Sequence, residues 1–251
     1  ITKPFTDIEL LNAIDSRLKK IKILKKEYAS DPEGIQEMLN EFGELNTLDN
    51  ITENREENHY KKKQAIYMEG NHPYKLFYIK NGKVKTYISN EDGKVLTTAL
   101  FGEGDFFGYT ALLEGTVYKE TAEAIDDCII TDIPIDEFQH LLYHDATATR
   151  KIIQLLSKNI EEKEQQLLNI AYNSLRKRVA TALVTLLKKY GKDGDDVFTI
   201  NFSREDLANI AGTATESLIR TLSDFKNEKL IDIQGSRISV LNEKKLAGML
   251  N

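Results

Sequence analysis

The spacing of apolar residues changes along the 251-residue chain, and each change marks a different kind of element. Leu10, Leu11, Ile14 and Leu18 share one helical face, with Thr6 or Asp7 able to cap that helix. Ser30-Asp31-Pro32-Glu33 is a second helix start, and Ile35, Met38, Leu39 and Phe42 form its buried face. Asn50 to Lys63 is polar and predicts a loop or frayed helix. From Gln64 the period drops to two. Ala65 to Met68, Leu76 to Ile79, Val84 to Ile88, Val95 to Leu100, Thr121 to Ala124 and Cys128 to Ile133 read as strands. Asn81-Gly82 and Asn90-Glu91-Asp92-Gly93 supply hairpin turns, and Gly70, Gly102, Gly104 and Gly108 occupy others. Many short strands with Gly-bearing turns close on themselves to protect their edges, so 64–133 reads as an antiparallel jelly-roll barrel.

The helical period then returns. Pro134 starts a short helix, and a longer one runs from about Ala146 to Ala171. Ile153, Leu156, Ile160, Leu167 and Ile170 follow a spacing of three and four, with Lys163 as the polar interruption. That is a coiled-coil-like seam of about three heptads. It predicts a parallel homodimer, with packing against its own barrel as the alternative. Tyr172 to Ala180 opens the next helix, whose Val179, Leu183, Leu186 and Leu187 face a core. Gly191 to Asp196 forms an acidic turn, and Phe198-Thr199-Ile200 is a short strand.

Phe202 to Ile231 carries the densest set of local signals. Ser203 with Asp206 three residues on is a capping-box arrangement, with Asp in place of Glu. Leu207, Ala208, Ile210 and Ala211 form the apolar face of a first short helix, and Gly212 suits the turn after it. Thr213 or Thr215 can cap the second, over about Ala214 to Lys226. Its Leu218, Leu222 and Phe225 face inward, while Thr215, Glu216, Ile219 and Arg220 fall on other faces. Two short helices around a Gly-bearing turn make a helix-turn-helix. Leu230 to Ile233 and Arg237 to Leu241 alternate around Gln234-Gly235-Ser236, which predicts a hairpin wing. Asn242 to Leu250 closes the chain as a helix with Leu246 and Leu250 inward. The fold class is therefore mixed α+β and multidomain: a β barrel, a long dimerisation helix and a C-terminal winged helix-turn-helix.

Charge changes this picture only after it is divided. The net charge is -6 overall. From Tyr172 to the end, however, there are 13 Lys and Arg against 10 Asp and Glu, and the rest of the chain carries 21 against 30. A locally basic head on an acidic body still binds phosphate, because the field within a Debye length dominates. Cys128 is the one cysteine, which excludes an intrachain disulfide and a multi-cysteine metal or iron–sulfur site within these residues. No long apolar run or signal segment is present, so a reducing, cytoplasmic setting with no membrane partner is expected.

Ser203-Arg204-Glu205-Asp206-Leu207-Ala208, then Gly212, Glu216 and Arg220, resemble the winged helix of the Crp–Fnr superfamily of bacterial transcription regulators. The resemblance implies base-edge contacts from Glu216 and Arg220. The position before Glu216, often Arg in the family, is Thr215 here and is taken with them. Ser203, Thr213, Ser217, Ser236 and Arg237 are placed for phosphates. The barrel resembles the family's cyclic-nucleotide-binding-like sensor. Tyr109 stands where cyclic-AMP-binding members carry a Glu, and Glu120 stands at the phosphate-gripping Arg. A carboxylate there repels a phosphate. The expectation is a different small ligand around Phe107, Tyr109, Glu120 and Thr121, or no ligand, and Phe106, Phe107 and Tyr109 serve equally as core aromatics. The opening Lys3-Pro4-Phe5-Thr6 and its helix resemble the last turn and helix of a response-regulator receiver domain, which implies a fragment with a phosphoacceptor domain upstream.

The expected division is 1–20 for the receiver-like tail, 21–60 for a helical connector, 61–144 for the barrel, 145–171 for the dimerisation helix and 172–251 for the winged helix. The expected function is a dimeric regulator reading a DNA palindrome, with RNA polymerase as the further partner that the resemblance implies. Two other classes compete. One is a scaffold whose winged helix binds protein. The other is a cupin-like metal enzyme, but His59, His72, His140 and His144 form no His-x-His pair in the strands and no third ligand accompanies His140 and His144. No Gly-rich phosphate loop or nucleophile elbow is present either. The chain is therefore read as a non-enzyme with no metal or cofactor.

Overall fold

The computed structural model describes residues 55–191 and 199–250. The receiver-like tail with Lys3 and Pro4, most of the connector and most of the acidic turn lie outside these residues.

Two four-stranded antiparallel sheets face each other. One has the order β1 (Glu57–Tyr60), β8 (Cys128–Pro134), β3 (Lys75–Asn81), β6 (Phe106–Phe107). The other has the order β2 (Ala65–Tyr67), β7 (Thr121–Ala124), β4 (Val84–Ser89), β5 (Val95–Phe101). Asn81-Gly82 makes the β3–β4 turn. Gly82 has φ +99, and a Cβ there would lie 2.8 Å from the Asp127 carbonyl and 2.9 Å from Cys128 Cα. Neither backbone atom can yield, so the turn requires glycine. The polar stretch before Gln64, read as loop or frayed helix, contains β1 instead. Its sequence Glu-Asn-His-Tyr has no apolar alternation, and its pairing with β8 from Glu57↔Thr131 to Tyr60↔Cys128 holds it in place. Met68, expected in a strand, lies just past β2 and is exposed.

β3 is buried on both faces, which is why Leu76-Phe77-Tyr78-Ile79 reads as continuously apolar. Phe77 and Ile79 enter the barrel interior with Tyr67, Val84, Phe107, Tyr118 and Ile130. Leu76 joins a second cluster with Ile133, Phe138, Leu141 and Ile152. That cluster is roofed by α1 (Tyr109–Glu114), α2 (Ile135–His144) and the first turns of α3 (Ala146–Tyr172). The left-handed Gly108 that precedes α1 sits so close to Phe77 that a Cβ would lie 2.9 Å from its ring.

α3 runs for 27 residues. It includes Tyr172, which was expected to open the next helix. That helix, α4 (Leu175–Tyr190), begins after Ser174, whose hydroxyl accepts from the Lys177 amide. α4 packs with α5 (Arg204–Ala211), α6 (Thr215–Asn227), the hairpin β10 (Ile231–Gln234) and β11 (Arg237–Val240), and α7 (Glu243–Ala247), and β9 (Thr199–Ile200) pairs with β11. Val179, Leu183, Leu186, Leu207, Leu218, Leu222, Phe225 and Ile238 are their common core. α7 is shorter than expected. Leu246 is buried, but Leu250 is 85% exposed because the helix ends at Ala247.

Candidate nucleic-acid interface

The Ser203 half of the predicted capping box forms, but the Asp206 carboxylate binds the Ser203 hydroxyl and Lys85 rather than the Ser203 amide. The Asp206 amide donates to Ser203 Oγ at 3.0 Å, and Ser203 Oγ donates to Asp206 Oδ2 at 2.5 Å. α5 ends at Gly212, whose φ is +62. The second helix starts differently. Its N-cap is Ala214, with no side-chain cap, so neither Thr213 nor Thr215 closes that end. The α6 amides are consequently left without a side-chain acceptor at the end of the helix that would meet a phosphate.

α6 buries Leu218, Leu222 and Phe225 and turns Glu216, Ile219, Arg220 and Ser223 to solvent. Glu216 and Arg220 are four residues apart and so share one face. Among the described residues neither makes a side-chain hydrogen bond or ion pair. Thr215 and Ser217 flank them, half-buried. The wing tip lies at Gly235 and Ser236, with Ser236 and Arg237 exposed. Arg204, the first residue of α5, donates to the carbonyls of Ser236 at 3.3 Å and Gly235 at 3.1 Å and so ties the wing to the helix-turn-helix. The turn is braced from behind, where Arg178 Nη1 donates to the Gly212 carbonyl at 2.9 Å. Of the phosphate candidates, Ser203 is engaged in its cap, whereas Thr213, Ser217, Ser236 and Arg237 keep their side chains available among the described residues.

The five seam residues of α3 separate into two groups. Ile153, Ile160 and Leu167 are 57%, 61% and 68% exposed. Leu156 packs on the barrel-side cluster, and Ile170 lies beside the Gly212 turn. Lys163, at the polar interruption of the seam, is exposed. A neighbouring face of α3 is tied to its own barrel: Asn159 donates to the Tyr109 hydroxyl, and Gln166 Nε2 donates to the Thr97 carbonyl at 2.7 Å.

The barrel candidates make separate contacts. Phe107 is part of a ring stack in the interior, 5.0 Å from Phe77, which in turn meets Tyr67, and Tyr67 stacks on Tyr118 at 3.7 Å. Tyr109 is buried, and burial raises its phenol, with Glu120 near enough to help raise it. Glu120 accepts from Thr98 at 2.5 Å, and Thr121 Oγ accepts from the Glu69 amide at 3.1 Å. His140 and His144 stack with ring centroids 4.4 Å apart, and no group of three metal-ligating side chains exists among the described residues. No described helix is long and apolar enough to cross a membrane.

Sequence reasoning missed the contact between barrel and head. Lys85 Nζ on β4 lies 2.5 Å from Asp206 Oδ1 on α5 and 3.0 Å from Glu123 Oε1 on β7. Burial works to raise the Asp206 carboxyl, but hydrogen bonds from Lys85 and Ser203 outweigh it and hold the group below the ordinary range. Burial works to lower the Lys85 ammonium, yet its bonds to Asp206 and Glu123 raise it. A lowered carboxylate stabilises the fold above its unfolded value and loses that contribution as pH falls through the folded one. A raised ammonium stabilises below its unfolded value and loses that contribution as pH rises through the folded one. The contact should therefore be constant between about pH 5 and about pH 9 and fail only toward acid below about pH 4 and toward alkali above about pH 10.5. The difference in urea-unfolding midpoint between wild type and Lys85→Met across pH would check this, and a step in that difference near pH 6 to 7 would contradict it.

The chain is similar to known proteins along both regions. The family profile described as "Cyclic nucleotide-binding domain" matches residues 57–145, and that described as "Crp-like helix-turn-helix domain" matches 177–249. The chain is 27% identical over 199 residues to the regulatory protein HlyX of Actinobacillus pleuropneumoniae, covering 78% of this chain and 82% of that protein. It is 26% identical over 211 residues to the fumarate and nitrate reduction regulatory protein of Yersinia pestis, covering 83% of each. Among solved structures, FixK2 from Bradyrhizobium japonicum is similar with a TM-score of 0.70 at 23% identity, covering 77% of this chain and 96% of that one. A Crp/Fnr-family transcriptional regulator from Thermus thermophilus gives 0.64 at 23%, covering 76% and 96%. These structural likenesses concern the fold.

Proposed function

The chain belongs to the Crp–Fnr family of transcription regulators, and from that membership we propose that it acts as a homodimer reading an inverted-repeat DNA site with α6. The observation that carries the reading is the outer face of α6, where Glu216 and Arg220 stand exposed and, among the described residues, unpaired above a fully packed inner face. A helix so presented, with a wing beside it, fits a major groove. Arg220 donates to guanine O6 and N7, and Glu216 accepts from a cytosine N4. Thr215 joins them at the base edges. Thr213, Ser217, Ser236 and Arg237 meet phosphates, as does the backbone at Ser203.

Two such heads need a fixed separation, and the exposed Ile153, Ile160 and Leu167 offer the seam that a second copy of α3 would cover. The proposed units are the expected ones with two bounds moved: β1 extends the sensor barrel back to Glu57, so it runs over 57–144, and the dimerisation helix ends at Tyr172 and is followed by the winged helix. The barrel interior is occupied by stacked rings, and Glu120 stands at the position where the resemblance puts the phosphate-gripping Arg, which supports a signal other than a cyclic nucleotide. A receiver domain upstream, which the Lys3-Pro4 resemblance implies, is a second route for the signal. Either input shifts the balance between two arrangements of the heads, and RNA polymerase reads the outcome.

Titration of the chain against genomic duplex fragments at several salt concentrations tests this reading. Affinity should fall linearly on a log–log plot as salt rises, since phosphate contacts release counterions. Absence of any salt-dependent duplex binding would favour a head that binds protein.

A further inference from the structure

The winged helix is joined to the rest of the chain covalently only through the short link between α3 and α4, yet it is also held to the side of the barrel. Leu100 and Ile125 of the barrel contribute to the core of the head. The Tyr190 hydroxyl donates to the Phe101 carbonyl at 3.2 Å, Lys189 pairs with Asp105 at 3.1 Å, and Lys83 lies over the Tyr190 ring at 5.4 Å. The Tyr190 hydrogen bond and the Lys189–Asp105 pair are directional, but the apolar contacts of Leu100 and Ile125 are non-directional and tolerate sliding. The Lys85 triad does not. Its side chain is 8% exposed and its ammonium reaches carboxylates from both bodies at once, which restricts where the head can sit. A buried ion pair of this kind contributes registry more than stability.

The triad is also built to part. On separation Lys85 keeps Glu123, its cross-strand partner on β7, and Asp206 keeps the Ser203 hydroxyl. Neither side is left with a bare charge, and water replaces the lost contact. In the docked state Glu216, Arg220 and Arg237 all remain exposed, so docking leaves the reading face open.

We propose that Lys85 is a positioning residue for DNA recognition: through Asp206 it fixes each reading head against its barrel at the orientation in which two heads engage one duplex together. The proposal rests on the dimeric, two-half-site reading above. Lys85→Met keeps the length of the side chain and removes the charge. Asp206→Asn removes the pair from the other side while keeping an oxygen for Ser203.

The test measures binding of the wild type and both variants to a duplex with two half-sites and to one with a single half-site. Spin labels at Glu91→Cys and Asn227→Cys, diluted into unlabelled protein, report the distance between barrel and head. Cys128 is 2% exposed, with burial first among the causes that push its thiol up to about 11, so it does not compete for the label. Both variants should bind the single half-site within about twofold of wild type, bind the double site at least about tenfold more weakly, and broaden the label distance. An unchanged double-site affinity with an unchanged distance would overturn the proposal, and so would an equal loss on both duplexes, which marks damage to the head itself. If the wild type does not favour the double site, the two-half-site reading fails. The label distance then decides on its own whether Lys85 orients the head: it broadens if so and stays narrow if not.

Discussion

Arg220→Ala should flatten the base preference at one position in each half-site and leave the other positions intact. A bidentate arginine–guanine contact is worth about 1–3 kcal/mol of discrimination, and a two-fold symmetric site carries that contact twice. The expected loss is thus about 5- to 150-fold per half-site, read from binding arrays that vary every position. The side chain has no partner among the described residues, so its removal breaks nothing inside the fold. Arg237→Ala gives the contrast. It should weaken all duplexes alike and lower the salt slope by roughly one unit, as a phosphate contact does. A base profile unchanged by Arg220→Ala would assign that guanidinium to the backbone instead.

Ile160→Glu should leave the chain a monomer at micromolar concentration and abolish tight binding to a two-half-site duplex. Ile160 is 61% exposed in the single chain, so the substitution costs the protomer little. Across a symmetric seam it sets two carboxylates against each other in an apolar stripe, where burying an unpaired charge costs several kcal/mol. A tethered second head binds at an effective concentration that raises avidity about 10²- to 10⁴-fold, and all of that is lost with the dimer. Sedimentation and duplex titration read the two effects separately. A variant that remains dimeric would place the interface elsewhere.

How far the chain was legible depended on whether a feature is written in neighbouring residues. The winged helix is local chemistry: the Ser203 cap, the left-handed Gly212 and the Leu218-Leu222-Phe225 face all act within one turn or two. The long helix was equally plain, but its stripe was not one surface. Leu156 and Ile170 are used within the chain, and only Ile153, Ile160 and Leu167 stay open, a division that the heptad spacing cannot express. β1 was misread because a polar edge strand is defined by its partner and carries no period of its own. β6, two residues long, is too short to have one. The Lys85–Asp206 pair lay furthest out of reach. Its partners are 121 residues apart, Lys85 alone looks like an ordinary solvated charge, and Asp206 alone looks like a helix cap.

The central claim, two heads held by one helical seam and reading one duplex, meets its most direct test in selection of bound fragments from random DNA. The account predicts enrichment of an inverted repeat whose half-sites lie about one helical turn apart, about 10 base pairs or slightly more. Enrichment of isolated, unpaired half-sites, or of no motif at all, would contradict it.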